Sequence, residues 1–487
     1  MTADPAGKLH DRVRDYDRIR RAIAMPEGQV MNPRFTTTAL TTVQEYSGYR
    51  DAAIWTGSAL AAQSWRYMTT REPDAAAEID ALVRTLHRSF NVSGIRGYLA
   101  RVVVPKGSTI AMAPARCGAD NDWHCNVTFD GKTYDWVGGT SRDQNTGVML
   151  GYFLAYLATP NEELKAMIRD DVVAMAEELM KARKVPARVV VNGIPINTSL
   201  DLENVILAPS EMDNGRVVID FSTSQATDSG MRGMREFFPD FSVLTKQVIG
   251  VNVPIKRPST SIMLGAFFQI ALAASDGVPA MAARRKALED YYKAHASSWL
   301  DIAEGWTLDT QCGKGYFANH IALVMAYAYA SLEKDPALLP RIRDKVFGTA
   351  MYGALAGHKN SYFTFLWGGT RASPAKADID RASAQLLQFP VGPRVNAARD
   401  SRAMALYMPH DTQCTAEVLT DVETNAVDVR DRVVEDFMWQ RQPWALYDAG
   451  DPTLVYPGVD VLAAYWAGRK HGFLEDDCAG TCARWAP

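Results

Sequence analysis

Apolar residues repeat at helical spacing directly after Asp51. Ala53, Ile54, Trp55, Ala59, Leu60, Ala61, Trp65 and Met68 predict a long, buried helix. A second helix opens at Pro73 and places Ile79, Leu82, Val83, Leu86 and Phe90 on one face. The short link from Thr69 to Glu72 makes the two an αα-hairpin. The rhythm then breaks over 91–145. This stretch holds the β-branched run Arg101-Val-Val-Val-Pro, a loop bounded by Cys117 and Cys125, and an alternating segment from Val127 to Trp136. Asp130-Gly131 at the centre of that segment predicts a tight hairpin. Helical patterns resume over about 146–158 and 160–184. Thr159-Pro160 with Glu162 and Glu163 marks the second start. Residues 187–258 again mix short strands and loops. Helices follow at about 260–275, 279–304, 315–333, 336–356, 358–368 and 376–389. The stretch 390–458 reads as loop with some strand, and a last helix covers about 459–470.

About eleven helices in successive hairpins, without a βαβ rhythm, heptads or a strict repeat, predict a mainly α fold. The expected architecture is an (α/α)6 toroid, with an inner and an outer ring of helices. Residues 1–45 are expected to form an irregular lead-in with one short helix. Residues 46–487 are expected to form one domain, with insertions at about 91–145, 187–258 and 390–458. Long insertions between helices carry function more often than the helices do.

Composition narrows the function classes. With 47% hydrophobic and 22% charged residues the chain is an ordinary globular one, and its net charge of −4 argues against a nucleic-acid binder. Eleven Trp and nineteen Tyr supply rings for core packing or for a cleft that holds flat polar ligands. The longest apolar stretch, Ser261 to Ala274, is too short to cross a bilayer and reads as a buried helix. The first residues lack a hydrophobic signal core. The six cysteines suit disulfides: the local pairs Cys117 with Cys125 and Cys478 with Cys482 would leave Cys312 with Cys414, one of fifteen possible pairings. Free thiols and a zinc site are the alternatives. Disulfides imply a periplasmic or secreted protein whose signal has been removed, with the cytoplasm as the alternative.

Candidate chemistry gathers where polar turns open onto apolar helices. Trp136-Val-Gly-Gly-Thr-Ser-Arg-Asp-Gln-Asn-Thr-Gly147 leads into the run Val148 to Leu157, so Arg142, Asp143 and Gln144 stand at a helix N-terminus. Asp135 and Asp143, across the Gly-Gly turn, are a candidate carboxylate pair, while Trp136 is a candidate ligand contact. Asp51 is either a cap or a cleft carboxylate, with Trp55 one turn on as a stacking wall. Asp309-Thr-Gln-Cys-Gly-Lys314-Gly-Tyr316-Phe-Ala-Asn319-His320 is a third group. Tyr316 and His320 share a helix face there and suit proton abstraction beside a carboxylate. His358 and Asn360 begin another helix, either in the cleft or as caps. Trp439 and Arg441 belong to an aromatic, Arg-rich segment that lines a ligand or straps the fold. No Walker loop, dinucleotide fingerprint, His-Glu-x-x-His or nucleophile elbow is present, so no cofactor or metal is expected.

Ser141-Arg142-Asp143-Gln144-x-x-Gly147 resembles the Ser-Arg-x-Gln-x-x-Gly helix start of six-hairpin (α/α)6 glycosidases such as unsaturated glucuronyl hydrolases; related toroids include polysaccharide lyases. Asp143 fills a position that is usually not acidic in that motif. The resemblance implies an Asp acid/base pair at the mouth of an inner helical ring. The leading expectation is therefore a glycoside hydrolase acting on an oligo- or polysaccharide. Its Asp pair would come from Asp51, Asp135, Asp143 and Asp309, with Arg142 and Gln144 positioning the sugar and Lys314 and Asn319 beside it. The alternatives are a uronate lyase using Tyr316 and His320, a non-catalytic glycan- or partner-binding toroid, and a cyclase or isomerase of an apolar substrate.

Overall fold

The computed structural model describes residues 8–108, 117, 122–220, 231–308, 316–370, 374–401, 426–445 and 447–475. Among these residues 54% are helical and 18% lie in strands spread over several small sheets. The fold is thus mainly helical, with more strand than the helical rhythm alone predicts.

The helices are α1 (Lys8–Ile23), α2 (Ala52–Thr70), α3 (Pro73–Asn91), α4 (Arg142–Ala158), α5 (Glu162–Leu179), α6 (Ser242–Ile249), α7 (Pro258–Ser275), α8 (Ala282–Ala303) and α9 (Phe317–Leu332). After a wide-turned π-helical stretch, Arg341–Tyr352, come α10 (Gly353–Leu355), α11 (Ser361–Gly369), α12 (Lys376–Leu386) and α13 (Val459–Lys470). Helix α2 packs against α4 and α13, α4 also against α7 and α9, α7 against α9, α9 against α11, and α11 against α13. Helices α3, α5, α8 and α12 each pack on members of this set.

The tightest of these crossings is between α2 and α4, and glycines make it possible. A Cβ on Gly57 would overlap the Gly147 carbonyl, and one on Gly147 or Gly151 would overlap the α2 backbone at Ile54 or Gly57. Backbone therefore meets backbone, and the N-terminus of α4 is held beside that of α2. Helix α7, at 18 residues, is just long and apolar enough to cross a membrane, longer than the stretch read from sequence. It is 78% buried among α5, α8 and α9, which accounts for its composition without a bilayer.

The N-terminal region is more integrated than a lead-in. Helix α1 buries Asp17 and Arg20, which bond each other at 2.5 Å. Gln63 of α2 donates to Asp17 at 2.8 Å, and Arg20 pairs with Glu78 of α3. Strand β1 (Asn32–Phe35) then joins a four-stranded sheet with β2 (Val43–Ser47), β12 (Arg394–Asn396) and β15 (Asp451–Tyr456), in the order β12-β15-β1-β2. The first and last thirds of the chain are thereby stitched together.

The first insertion is the antiparallel sheet β3 (Val102–Pro105), β5 (Lys132–Val137), β4 (Trp123–Phe129), in that order. Its turn has Asp130 at φ 48° and Gly131 at φ 70°, the left-handed pair that the Asp-Gly signal requires. The disulfide Cys117–Cys125 expected from sequence is present, with Cα atoms 6.0 Å apart. Cys312, Cys414, Cys478 and Cys482 lie outside the described residues.

Helix α5 ends at Leu179, short of the expected 184, because Arg183 already begins a strand. Its N-cap is Asn161, whose side chain accepts from the Glu163 N–H at 3.0 Å, rather than Thr159. The second insertion holds β6 (Arg183–Val191), β7 (Ile194–Leu202), β8 (Val205–Leu207), β9 (Val217–Asp220), β10 (Met231–Arg232) and β11 (Met234–Glu236). Four of these form a sheet in the order β10-β9-β6-β7, while β8 pairs with β11. Val185, Val189, Leu200, Val217, Ile219 and Leu244 give this insertion a core of its own. A last small pair, β13 (Arg399–Asp400) with β14 (Tyr447–Asp448), lies in the third insertion.

Candidate functional site

The site begins at the adjoining N-termini of α2 and α4. Asp51 precedes α2 but its side chain makes no capping bond. Gln144 of α4 takes that role. Its Oε1 accepts the Ile54 N–H at 3.0 Å, while its Nε2 donates to Asp51 Oδ1 at 2.9 Å. Gln144 is fully buried, so one side chain both satisfies the α2 terminus and orients the Asp51 carboxylate. Arg101 clamps the same corner. It donates to the Gly139 carbonyl at 2.9 Å and the Arg50 carbonyl at 2.7 Å, and lies 3.6 Å from Asp51.

Asp51 is 46% exposed, yet protein surrounds it closely. That enclosure, then the negative charges of Asp143 and Asp436, push its carboxyl up to about 6; Arg101 and Arg441 oppose the shift. A carboxyl titrating there is half-protonated in mildly acidic solution, near pH 6, and can give a proton there as readily as take one. Asp143, at the start of α4, accepts from the Ser141 hydroxyl. Arg142 beside it turns instead toward the buried Glu236 of β11, 3.4 Å away, which Arg257 also holds at 3.0 Å.

The turn feeding α4 is shaped by a residue far away in sequence. Glu211, from the second insertion, accepts from the Tyr98 hydroxyl and from the Gly139 N–H at 3.0 Å, with His124 Nε2 at 3.8 Å. A Cβ on Gly138 would overlap the Glu211 carboxylate, and Gly139 sits at φ 59° against Asp122. The Gly-Gly pair thus admits Glu211 and permits the left-handed turn.

A second set of residues closes over the helix ends. The segment from Glu435 to Arg441 crosses the starts of α2, α11 and α13. Arg394 pairs with the buried Asp460 at 2.5 Å and donates to the Glu435 carbonyl at 2.7 Å; Asp460 accepts the Met438 N–H at 2.9 Å. Phe437 stacks on Trp55 at 4.7 Å and 10°, and lies 4.8 Å from the His320 ring. Asp436 and Glu435 hold Arg441 at 3.2 and 3.5 Å. Burial raises Glu435, with Arg441 opposing and Asp436 adding to the shift.

The structure therefore brings Asp51, Asp143, Gln144 and Arg441 together, and adds Arg101, Glu435 and Asp436. It separates Asp135, which accepts the Asn126 N–H at 2.8 Å on the β4–β5 hairpin and lies 3.9 Å from Lys106. That bond supports the left-handed Asn126 rather than facing Asp143. The three tryptophans expected to contact a ligand are all buried: Trp55, the expected stacking wall, lies against Phe437, Trp136 against His124 at 3.9 Å, and Trp439 belongs to the strap, where its Nε1 donates to the Asp460 carbonyl at 2.8 Å. Asp309 and Lys314 lie outside the described residues.

Tyr316, Asn319, His320, His358 and Asn360 are all buried. Asn360 caps α11, accepting the Phe363 N–H at 3.1 Å, and donates to the Trp439 carbonyl at 2.9 Å. Tyr316 meets His358 Nδ1 at 2.8 Å. Burial holds both His320 and His358 down at about 3, with Arg432 adding to the effect at His358, and raises Tyr316 well above its usual range. These groups stay neutral across the physiological range.

Glu435, Asp436, Arg101 and Glu211 were missed by sequence reasoning. Acidic residues beside Trp439 and Arg441 were the one available signal for the first two. Nothing in the sequence couples Glu211 to Gly139. Comparison with protein-family models, with curated proteins and with solved structures finds no match for this chain.

Proposed function

We propose that the chain is a glycoside hydrolase built on an (α/α)6 toroid, acting on an oligo- or polysaccharide with Asp51 as general acid and Asp143 as its carboxylate partner. The observation that carries this reading is the Asp51 carboxyl, poised near 6 beside other carboxylates at the meeting point of two helix ends. Glycoside hydrolysis needs such a pair: one carboxyl that keeps its proton to give to the leaving oxygen, and one ionised carboxylate to activate water or attack the anomeric carbon. Gln144 and Arg101 hold the acid in place, and Arg441 offers a cationic hydrogen-bond donor at the edge of the site. The toroid is supported by the succession of contacts from α2 through α4, α7, α9 and α11 to α13 and back to α2, with α3, α5, α8 and α12 packed on that set. Export from the cytoplasm is part of the proposal, supported by the Cys117–Cys125 bridge.

The test is incubation with neutral and uronate-rich polysaccharides, following new reducing ends and the ultraviolet absorbance of a newly formed C=C bond. Reducing ends without absorbance, lost in Asp51→Asn, are the expected result. Absorbance rising with the reducing ends would replace hydrolysis by β-elimination. Silence across the panel would overturn the carbohydrate-cleaving reading and leave a binding role for the same residues.

A further inference from the structure

The second insertion meets helix α8 around a cavity of about 600 Å³ that shares no residue with the site above. Its volume falls within the range of small-molecule sites, about 300–1,000 Å³. Helix α8 supplies one wall with Trp299, His295 and Ser298. Strand β7 and helix α6 supply the facing wall with Leu202, Leu244 and Val243.

Two features define what this cavity can hold. The first is a run of planar rings along α8. Tyr291, His295 and Trp299 recur every four residues and stack successively, at 4.1 Å and 28°, then 5.7 Å and 24°. Trp299 and His295 line the cavity directly. The second is charge. Among the charged lining residues, Arg183 is already paired with Glu178, and Lys184 sits directly across the β6–β7 ladder from Asp201. Glu203 and Asp240, both partly exposed, join Asp201, so the lining carries three carboxylates against Arg183 and Lys184.

The neutral polar groups of the wall are largely spoken for. His295 Nδ1 bonds the Tyr291 carbonyl, Ser298 donates to the His295 carbonyl, and Gln247 exchanges two bonds with the Asp201 backbone at 2.8 and 3.0 Å. The last pair staples α6 to β7 and keeps the wall in place. Recognition is left to the edges of the rings, apolar side chains and an excess of carboxylates, of which Asp240 also accepts the Ser242 N–H at 2.8 Å. Val243, 60% exposed at the rim, extends the apolar surface outward.

We propose that this cavity is a binding site for a small organic cation: an ammonium carried on a flat apolar body, with the body against Trp299 and the charge toward Glu203 and Asp240. Carboxylates beside an apolar, ring-lined wall attract an ammonium, and the attraction strengthens where water is excluded. An anion would meet more carboxylates than cations, and a purely polar ligand would find few free partners.

A matched series of probes tests this without knowledge of the natural ligand: 1-naphthylmethylammonium, 1-naphthalenemethanol and 1-naphthaleneacetate, titrated into the full chain by calorimetry with saturation-transfer NMR. The ammonium is expected to bind about tenfold or more tightly than the alcohol, and the carboxylate weakest of all. Ser298→Trp, at an exposed rim position, fills the cavity and should abolish binding while leaving the melting curve unchanged. Should that variant fail to fold, Val243→Arg, on the surface, brings a positive charge to the rim and should weaken the ammonium selectively. Equal affinity for all three probes, no binding of the ammonium, or binding that survives a folded Ser298→Trp variant would overturn the proposal. None of these readouts depends on glycosidase activity.

Discussion

Asp51 and His320 stand at the starts of helices that share a neighbour, and one strap residue, Phe437, reaches both helices. Trp55, one turn past Asp51, stacks on Phe437, and His320 lies 4.8 Å from that ring. Yet the two environments push their residues in different chemical directions. Asp51 keeps 46% of its side chain in water and is raised to about 6, within working range. His320 is 2% exposed and is held at about 3, outside it. Both are polar residues at the mouth of an apolar helix, and both qualify as candidates on the residues alone. Burial separates them: desolvation raises a carboxyl toward neutrality but drives an imidazole away from it. The same physical cause creates a proton donor at one position and an inert ring at the other.

The most disruptive way to break this comparison is at Asp51 itself. On a polysaccharide that responds, Asp51→Asn should lower kcat about a hundredfold to ten-thousandfold, the contribution of a positioned general acid. Reducing-end assays read this directly, and a variant retaining a tenth of wild-type turnover would remove Asp51 from the chemistry.

Next in size is the strap. Arg394→Ala leaves Asp460 buried without its cation and should cost about 3–5 kcal/mol. Urea denaturation measures that loss, and a change below about 1 kcal/mol would mean the strap is held by its apolar contacts instead. At the helix crossing, Gly147→Ala sets a methyl against the α2 backbone at Ile54, where nothing flexible can yield. Overpacking of this kind costs about 1–3 kcal/mol. It should also shift the pH profile by moving Gln144 relative to Asp51, which a purely global destabilisation would not do.

Two pH experiments sharpen the contrast. Activity should fall as pH rises through about 6, where Asp51 loses its proton. Asp436→Asn removes a like charge and should move that limb to lower pH; an unmoved limb would assign it to another group. The linkage carries the same sign. A carboxyl whose pKa rises from 3.8 in the unfolded chain to about 6 binds its proton more tightly when folded. Stability should therefore decline as pH rises through that window. Asp51→Asn should then melt higher than wild type at pH 7, while the two converge at pH 3. The smallest effect is expected at His320: His320→Phe should change turnover by no more than a few-fold, and a hundredfold loss would restore the imidazole to the mechanism.

Much of the helical frame was legible in the sequence. The final helix, Val459–Lys470, matches its periodic pattern residue for residue, and α2, α3 and α7 begin within two residues of their signals. The Asp130-Gly131 turn was equally legible, since few other residues accept its backbone angles. Errors fell where local signals compete. Thr159-Pro160 resembles a helix start, but Asn161 caps α5, and the β-branched run after Arg183 ends that helix early. The lead-in concealed a buried charge network because Asp17 and Arg20 look like surface residues until α2 and α3 cover them.

By itself the sequence determined most of the helices and the hairpin turn, suggested the Cys117–Cys125 pairing, and drew attention to the polar turn from Gly138 into α4. These are local properties, set by periodicity, capping and backbone freedom within a few residues. Only the tertiary structure decided which carboxylate faces which. It set Asp51 beside Asp143 through glycines on both helices, turned Asp135 away on a β-hairpin, brought Glu211 across from another insertion, and folded the strap over His320. Those outcomes depend on solvent exclusion and on charges brought together from distant parts of the chain, and desolvation and Coulomb energies belong to the assembled surface rather than to any segment of it.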